Sequence, residues 1–301
     1  MNEASRPPDA EIFERHRPRL FGVAYRMLGS AADAEDVLQE AYLRWHGEAR
    51  DVVRSPEAWL VAVTTRLAID RLRRASAERE KYPGFWLPEP VATPADRRAE
   101  MSSDLSMAFL VLLEQLSPEE RAAFLMREVF DADYAELARV LDKSEAACRQ
   151  MVHRARVRVR GDRPRFSVSP ETHERLLERF LDALHDGDRE GLLALVAEDV
   201  TWTSDGGGRV PSARRIVHGA DRIVRLVLGL ERKARGRVRH AVAWLNGEPT
   251  LVSFAGDQLL FTTSVATDGE RLTAFYRVLN PDKLGRIERE LAARGSPAPE
   301  G

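Results

Sequence analysis

The chain has one cysteine, Cys148, among its 301 residues, so neither an internal disulfide nor a cysteine metal site is available. Long apolar runs are missing as well. The stretch from Ile223 to Leu230 is broken by Arg225 and falls far short of the roughly 20 residues that cross a bilayer. The N-terminal stretch MNEASRPPDAEIFERHRPRL carries charges and prolines where a secretory leader has its apolar run. Net charge is nearly absent, at −2, so any binding to nucleic acid must rest on local basic faces offset by acid elsewhere. The glycine run at Gly206 to Gly208 has no GxxxxGK[ST] or strand-GxGxxG-helix context, which excludes the usual nucleotide loops. These absences fit a cytoplasmic protein with no membrane partner, no cofactor and no metal.

What is present is 44% hydrophobic residues in periodic segments, enough for two or three domains with a core each. Glu11 to Leu28 places Phe13, Leu20, Phe21, Ala24, Met27 and Leu28 on one broad helical face and ends at Gly29. Asp33 to Trp45 turns Ala34, Val37, Leu38, Ala41, Tyr42 and Trp45 inward and leaves Asp33, Glu35, Asp36, Gln39 and Glu40 outside, an acidic start that suits the helix dipole. Ser55-Pro56-Glu57 opens a third helix with an N-cap and a proline at N1. Here the charge reverses. Arg66, Arg71, Arg73 and Arg74, with Trp59 and the hydroxyls of Thr64 and Thr65, suit a separated DNA strand. Complementing the dipole at the helix C-terminus accounts for only some of those arginines.

Residues 76–103 lose all period and gather prolines, which reads as a linker, yet Trp86 and Leu87 within WLPEP are too apolar for a spacer and require a surface. Helical periodicity returns at Leu105, and Ser117-Pro118-Glu119-Glu120 is a capping box. Residues 133–160 then read as a helix-turn-helix. Tyr134, Leu137, Ala138 and Leu141 form the apolar face of its first helix. Ser144 is the N-cap of its second, which turns Ala147, Cys148, Met151, Val152 and Ala155 inward. The DNA-facing set is Ser144, Glu145, Ala146, Arg149, Gln150, His153, Arg154 and Arg156, since arginine and glutamine match base edges in a major groove. Within that set Arg154 and Arg156 suit phosphates, as do the following Arg158 and Arg160. The plainer reading, an arginine-rich solvated helix, is weakened by the small Ala138 where two helices must cross closely.

After a break at GDRPRFSVSP the character changes. Two helices, a strand VTWTS, the loop Asp205 to Arg209 and a helix over residues 220–235 precede four alternating runs, with turn signals at Asn246-Gly247, Gly256-Asp257 and Asp268-Gly269. Helices followed by a curved antiparallel sheet predict an α+β cone with a pocket. Trp86 and Leu87 want a surface, Gly206 to Gly208 offer a closely approachable backbone, and Arg209, Asp282 and Lys283 can supply charge-assisted bonds around it.

The order of these pieces resembles the bacterial extracytoplasmic-function sigma factors, over almost the whole chain. DAEDVLQEAYLRW resembles the segment that docks on the clamp-helix coiled coil of the RNA polymerase β′ subunit. SPEAWLVAVTTRLAIDRLRR is similar to the promoter-melting, minus-ten-reading helix, and the helix-turn-helix to the minus-thirty-five reader. WLPEP (Trp86, Leu87, Pro88, Glu89, Pro90), DGGGR (Asp205, Gly206, Gly207, Gly208, Arg209) and NPDKL (Asn280, Pro281, Asp282, Lys283, Leu284) resemble motifs of the subgroup with a fused SnoaL-like domain that is thought to act in cis. Arg209 stands where lysine is common, and Asp142 where glycine is frequent. The resemblance implies two all-α sigma domains at 8–75 and 104–162, a linker at 76–103, a SnoaL-like α+β cone at 171–285 and a tail at 286–301. It implies core RNA polymerase and promoter DNA as partners, with a small ligand in the cone's pocket as a further one, and a non-enzymatic role.

Two other classes compete. A helix-turn-helix repressor with a ligand-binding domain leaves the acidic helix and the Trp59 helix without work. An enzyme of the cyclase or isomerase kind needs a general base in an apolar pocket. The candidates Asp205, His218 and His240 include two that sit at turns, where such residues are more often structural.

Overall fold

The computed structural model describes residues 9–48, 53, 55–93, 105–161, 168–234 and 236–293. Linker residues 94–103, the break at 162–167 and tail residues 294–301 lie outside them. The chain forms two compact units, residues 1–80 with 113–162, and residues 81–112 with 163–301.

The first unit is all helical. α1 (Asp9–Leu28) stops where Gly29 adopts φ 65°, and Ser30 then caps α2 (Ala31–His46) by accepting from the Asp33 N–H. α3 (Pro56–Arg79) is capped by Ser55 with Pro56 at N1. α4 (Met107–Leu113) belongs, all but its last residue, to the second unit, and after it α5 (Pro118–Glu128) carries the full Ser117/Glu120 capping box of the first. α6 (Tyr134–Leu141) and α7 (Glu145–Gly161) make the helix-turn-helix. Between them Asp142 takes the left-handed conformation, φ 52° and ψ 51°, which Asp tolerates better than most residues other than glycine. Leu137, Val140, Cys148, Met151 and Val152 close a small core with Ala123 and Met126 of α5, and Ala62 of α3 packs against it.

The second unit is a six-stranded sheet between helical layers. Its elements are α8 (Pro170–His185), α9 (Arg189–Leu195), β1 (Val196–Asp205), β2 (Val217–His218), α10 (Ala220–Ala234), β3 (Arg239–Leu245), β4 (Glu248–Ala255), β5 (Gln258–Thr267), β6 (Leu272–Val278) and α11 (Pro281–Ala293). Strand order is β2-β1-β6-β5-β4-β3. The all-antiparallel sheet expected from the sequence is corrected at one pair, because β1 runs parallel to β6. The long connection between the two strands removes the constraint that a hairpin imposes. The Asn246-Gly247 hairpin has φ of 53° and 74°, the left-handed pair a two-residue turn needs.

Alternation along the strands builds two cores. Trp202, Leu251, Val265 and Phe275 face α8, α9 and α10, while Val252, Phe254, Leu259 and Val278 face the other way, against Leu284, Ile287 and Leu291 of α11. Leu87 and Met107 complete that second core. Two expected boundaries therefore shift. Residues 81–93 of the supposed linker are a layer of the cone, since burying Leu87 is worth about 1.5–3 kcal/mol that a free linker would forgo. Residues 286–293 of the supposed tail continue α11 and bury Ile287 and Leu291 in the cone, for the same reason. The edge of β3 is closed by Ala92, which bridges Leu245, with Thr93 N–H donating to the Trp244 carbonyl at 2.9 Å.

Candidate nucleic-acid interface

α7 presents the face expected of it. Ser144, Glu145, Ala146, Arg149, Gln150 and His153 are exposed, and Ser144 Oγ accepts from the Ala147 N–H at 3.2 Å. Arg149 lies 3.2 Å from Glu145 and 5.3 Å from the Tyr134 ring centroid, which orients it without burying it. The residues assigned to phosphate are differently placed. Arg154 pairs with Glu120 at 3.3 Å, Arg158 with the same carboxylate at 2.5 Å, and Arg156 with Glu128 at 2.5 Å. The hydrogen bond that Arg156 donates to Glu128 raises the Arg156 pKa. α5 thus neutralises the flank of α7 and leaves the row from Ser144 to His153 open.

α3 is a mixed case. Trp59 is half-buried with its ring 5.5 Å from that of Trp45, and Arg74 is exposed with no partner among the described residues. Arg66 donates to the Val140 carbonyl at 3.0 Å and to that of Arg139 at 2.6 Å, at the C-terminal end of α6 where carbonyls lack helical partners. Arg73 pairs with Glu119 at 2.6 Å and Asp70 at 3.1 Å. Thr64 and Thr65, read from sequence as strand-facing hydroxyls, are wholly buried and so turn away from any strand.

The acidic face of α2 divides in two. Asp33 binds Arg71, one of the expected DNA contacts, through both Nε at 2.9 Å and Nη2, and Glu35 binds Arg17 at 2.5 Å. The bond to Asp33 raises the Arg71 pKa. Asp36, Gln39 and Glu40 remain exposed. Leu43, 63% exposed, follows them one turn on, where its side chain extends the same face. The sequence reading missed it, though an apolar residue outside the buried period is a legible signal. A 390 Å³ groove between α1 and α2, with Phe13, Arg17, Asp36 and Tyr42 among its walls, adjoins this face.

The three short motifs meet around Asp205, whose side chain is fully buried. One oxygen accepts from Tyr82 Oη at 2.7 Å and the Gly207 N–H at 3.0 Å, and the other from the Leu87 N–H at 2.9 Å and Lys283 Nζ at 2.6 Å. Lys283 also donates to the Leu87 carbonyl and sits 4.1 Å from the Trp86 ring centroid. Asn280 Nδ2 donates to Tyr82 Oη at 2.8 Å, and Arg209 pairs with Asp282 at 3.2 Å. Burial, then the bond to Asp205, pushes the Tyr82 phenol up. The glycines are needed: a Cβ on Gly207 would lie 2.4 Å from the Asn280 side chain, and one on Gly208 2.6 Å from Pro83. Pro88 is buried within the segment, Gly206 packs on Ser212, and Leu284 enters the α11 core. Tyr82, outside WLPEP, was not anticipated.

A cavity of about 540 Å³ opens in the cone between the sheet and α10, lined among others by Trp202, Glu231, His240, Phe261 and Arg277. Of the candidate bases only His240 lies there, 3.1 Å from Glu231 and 2.8 Å from Ser253 Oγ. Asp205 is consumed by the motif contact, and His218 is exposed on β2.

Residues 12–78 match the sigma-70 region 2 family and residues 106–159 the sigma-70 region 4 family. The chain is 38% identical over 288 residues to the ECF RNA polymerase sigma factor SigJ of Mycobacterium tuberculosis, covering 90% of this chain and 92% of that one. It is 28% identical over 297 residues to the probable ECF sigma factor SigI of the same species, covering 94% and 97%. The crystal structure of M. tuberculosis SigJ superposes with a TM-score of 0.75 at 35% identity, over 91% of this chain and 98% of that one. Helix-turn-helix, region matches and end-to-end similarity agree, and the chain belongs to the extracytoplasmic-function RNA polymerase sigma factors, non-enzymatic initiation factors that act with core RNA polymerase on promoter DNA.

Proposed function

We propose that promoter reading by this sigma factor is governed in cis by its cone domain, which holds the connector between the two DNA-reading regions. The observation that carries this is the seating of residues 81–93 on the cone, with Leu87 in its core and its N–H on Asp205. A connector held in this way has less free length with which to separate region two from region four. Within the helical unit, Arg66 and Arg73 of α3 are engaged by α5 and α6, and must give up these partners before they can hold DNA phosphate. In this reading the outer row of α7 reads minus-thirty-five edges. Trp59 and the α3 arginines hold the melted minus-ten strand. Asp36, Gln39, Glu40 and Leu43 dock on the β′ clamp helices, in the cytoplasm where polymerase and promoter meet. The cavity supports a small molecule as the signal that sets the cone's grip.

The test is run-off transcription with purified core polymerase, comparing the intact chain with Leu87→Asp and Lys283→Met. Both variants loosen the connector and should change transcript yield in the same direction. Equal yields from all three at equal polymerase occupancy would remove cis control.

A further inference from the structure

The cone's cavity contains a guanidinium whose terminal donors no described residue takes up. Strand register places Arg277 of β6 beside Ser204 of β1 and Thr263 of β5, on the face that α10 covers. Its guanidinium carbon is 4.4 Å from the Trp202 ring centroid and 4.1 Å from that of Phe261, so the planar group is held between two aromatic rings. Nε donates to Thr263 Oγ1 at 3.0 Å, while the two Nη groups make no hydrogen bond or ion pair among the described residues. Glu231, the carboxylate that lines the same cavity, is bonded to His240 instead. Burial lowers the Arg277 pKa to about 9, with Glu231 acting the other way, and the group stays charged at neutral pH. The guanidinium is only half-buried, and its open Nη donors face the cavity, where a bound anion would complete them. Lys233 lines the cavity too, so two cations face one carboxylate there.

We propose that this cavity binds a small organic acid, a ring-bearing apolar molecule whose single anionic group pairs with the Nη donors of Arg277. A planar anion matches the guanidinium fork in a two-point bond, and the aromatic and aliphatic walls take the apolar body. A volume of about 540 Å³ lies within the usual range for such ligands. The inference rests on reading the cone as a small-molecule sensor and adds the chemistry of what it senses.

The test uses two fluorescent probes with one ring system: 8-anilinonaphthalene-1-sulfonate, an anion, and N-phenyl-1-naphthylamine, its uncharged counterpart. Both are titrated into the full-length protein and into Arg277→Met. The intact protein should bind the anion saturably and about tenfold or more tightly than the neutral probe, as expected for a charge-assisted pair. Arg277→Met should lose that preference while keeping the neutral probe. The comparison within the intact protein stands even if the variant folds poorly. Equal affinity for the two probes in the intact protein, or anion binding unchanged in a folded Arg277→Met, would overturn the anion assignment and leave the sensor reading standing. Saturable binding of neither probe would overturn both.

Discussion

Replacing Asp205 by alanine should cost the cone domain most of its margin. The carboxylate is 0% exposed and Lys283 only 11%, so removing the acid strands an ammonium inside the protein. Breaking a buried ion pair in this way costs about 3–5 kcal/mol. The Leu87 and Gly207 N–H groups and the Tyr82 hydroxyl lose an acceptor as well, at about 1–3 kcal/mol for a group left unsatisfied. These costs overlap, and a loss of at least about 4 kcal/mol is expected, against the roughly 5–15 kcal/mol that holds an ordinary domain together. Urea unfolding of the full chain would report the loss, and limited trypsin cleavage at Lys81 would report release of the connector. The double variant Asp205→Ala, Lys283→Met should recover part of the deficit, because the stranded charge is gone. A cost below about 1 kcal/mol, or strict additivity of the two single changes, would show that the four partners of Asp205 do not act as one contact.

Three further outcomes are expected. Charge reversal at Asp36 and Glu40 should abolish retention on core polymerase with the melting temperature unchanged, since both side chains are more than half exposed; unaltered pull-down would remove α2 from the docking surface. Arg149→Ala should weaken a cognate promoter by about 1–3 kcal/mol and relax base preference in a competition binding assay, whereas Glu128→Gln should release Arg156 and steepen the salt dependence by about one unit; the reverse pattern would mean the groove-facing side of α7 is misassigned. Burial raises Glu248 to about 8, so the fold retains its proton where the unfolded chain has lost it. That contribution is complete below the ordinary value of 4.5 and is lost as pH rises through about 8, up to about 5 kcal/mol, and Glu248→Gln should flatten the stability profile between those limits.

The helical half was legible because its signals are local. Ser30, Ser55, Ser117, Asp133 and Ser144 each cap the helix they precede, and the inward set of α7 follows from 3.6-residue spacing alone. The strands of the cone were legible too, from alternation and the Asn-Gly and Asp-Gly turns. Pairing between charged residues was not. Asp33 and Arg71 read as contacts for two different partners, and they bind each other across α2 and α3. Arg154 and Arg156 read as phosphate ligands, and α5 presents carboxylates to both.

The sequence by itself determined the helical segments, the exposed row of α7 and the family, since each rests on residues close together in the chain or on an ordered series of short motifs. Only the tertiary structure decided which charges are already neutralised, that residues 81–93 form a layer of the cone, and that Arg277 stands between Trp202 and Phe261 with open donors. Periodicity reports which face of an element turns inward, but not which residue from a distant element it meets. Ion pairing and cavity chemistry depend on those meetings, because the energy of a charge is set by what surrounds it in space.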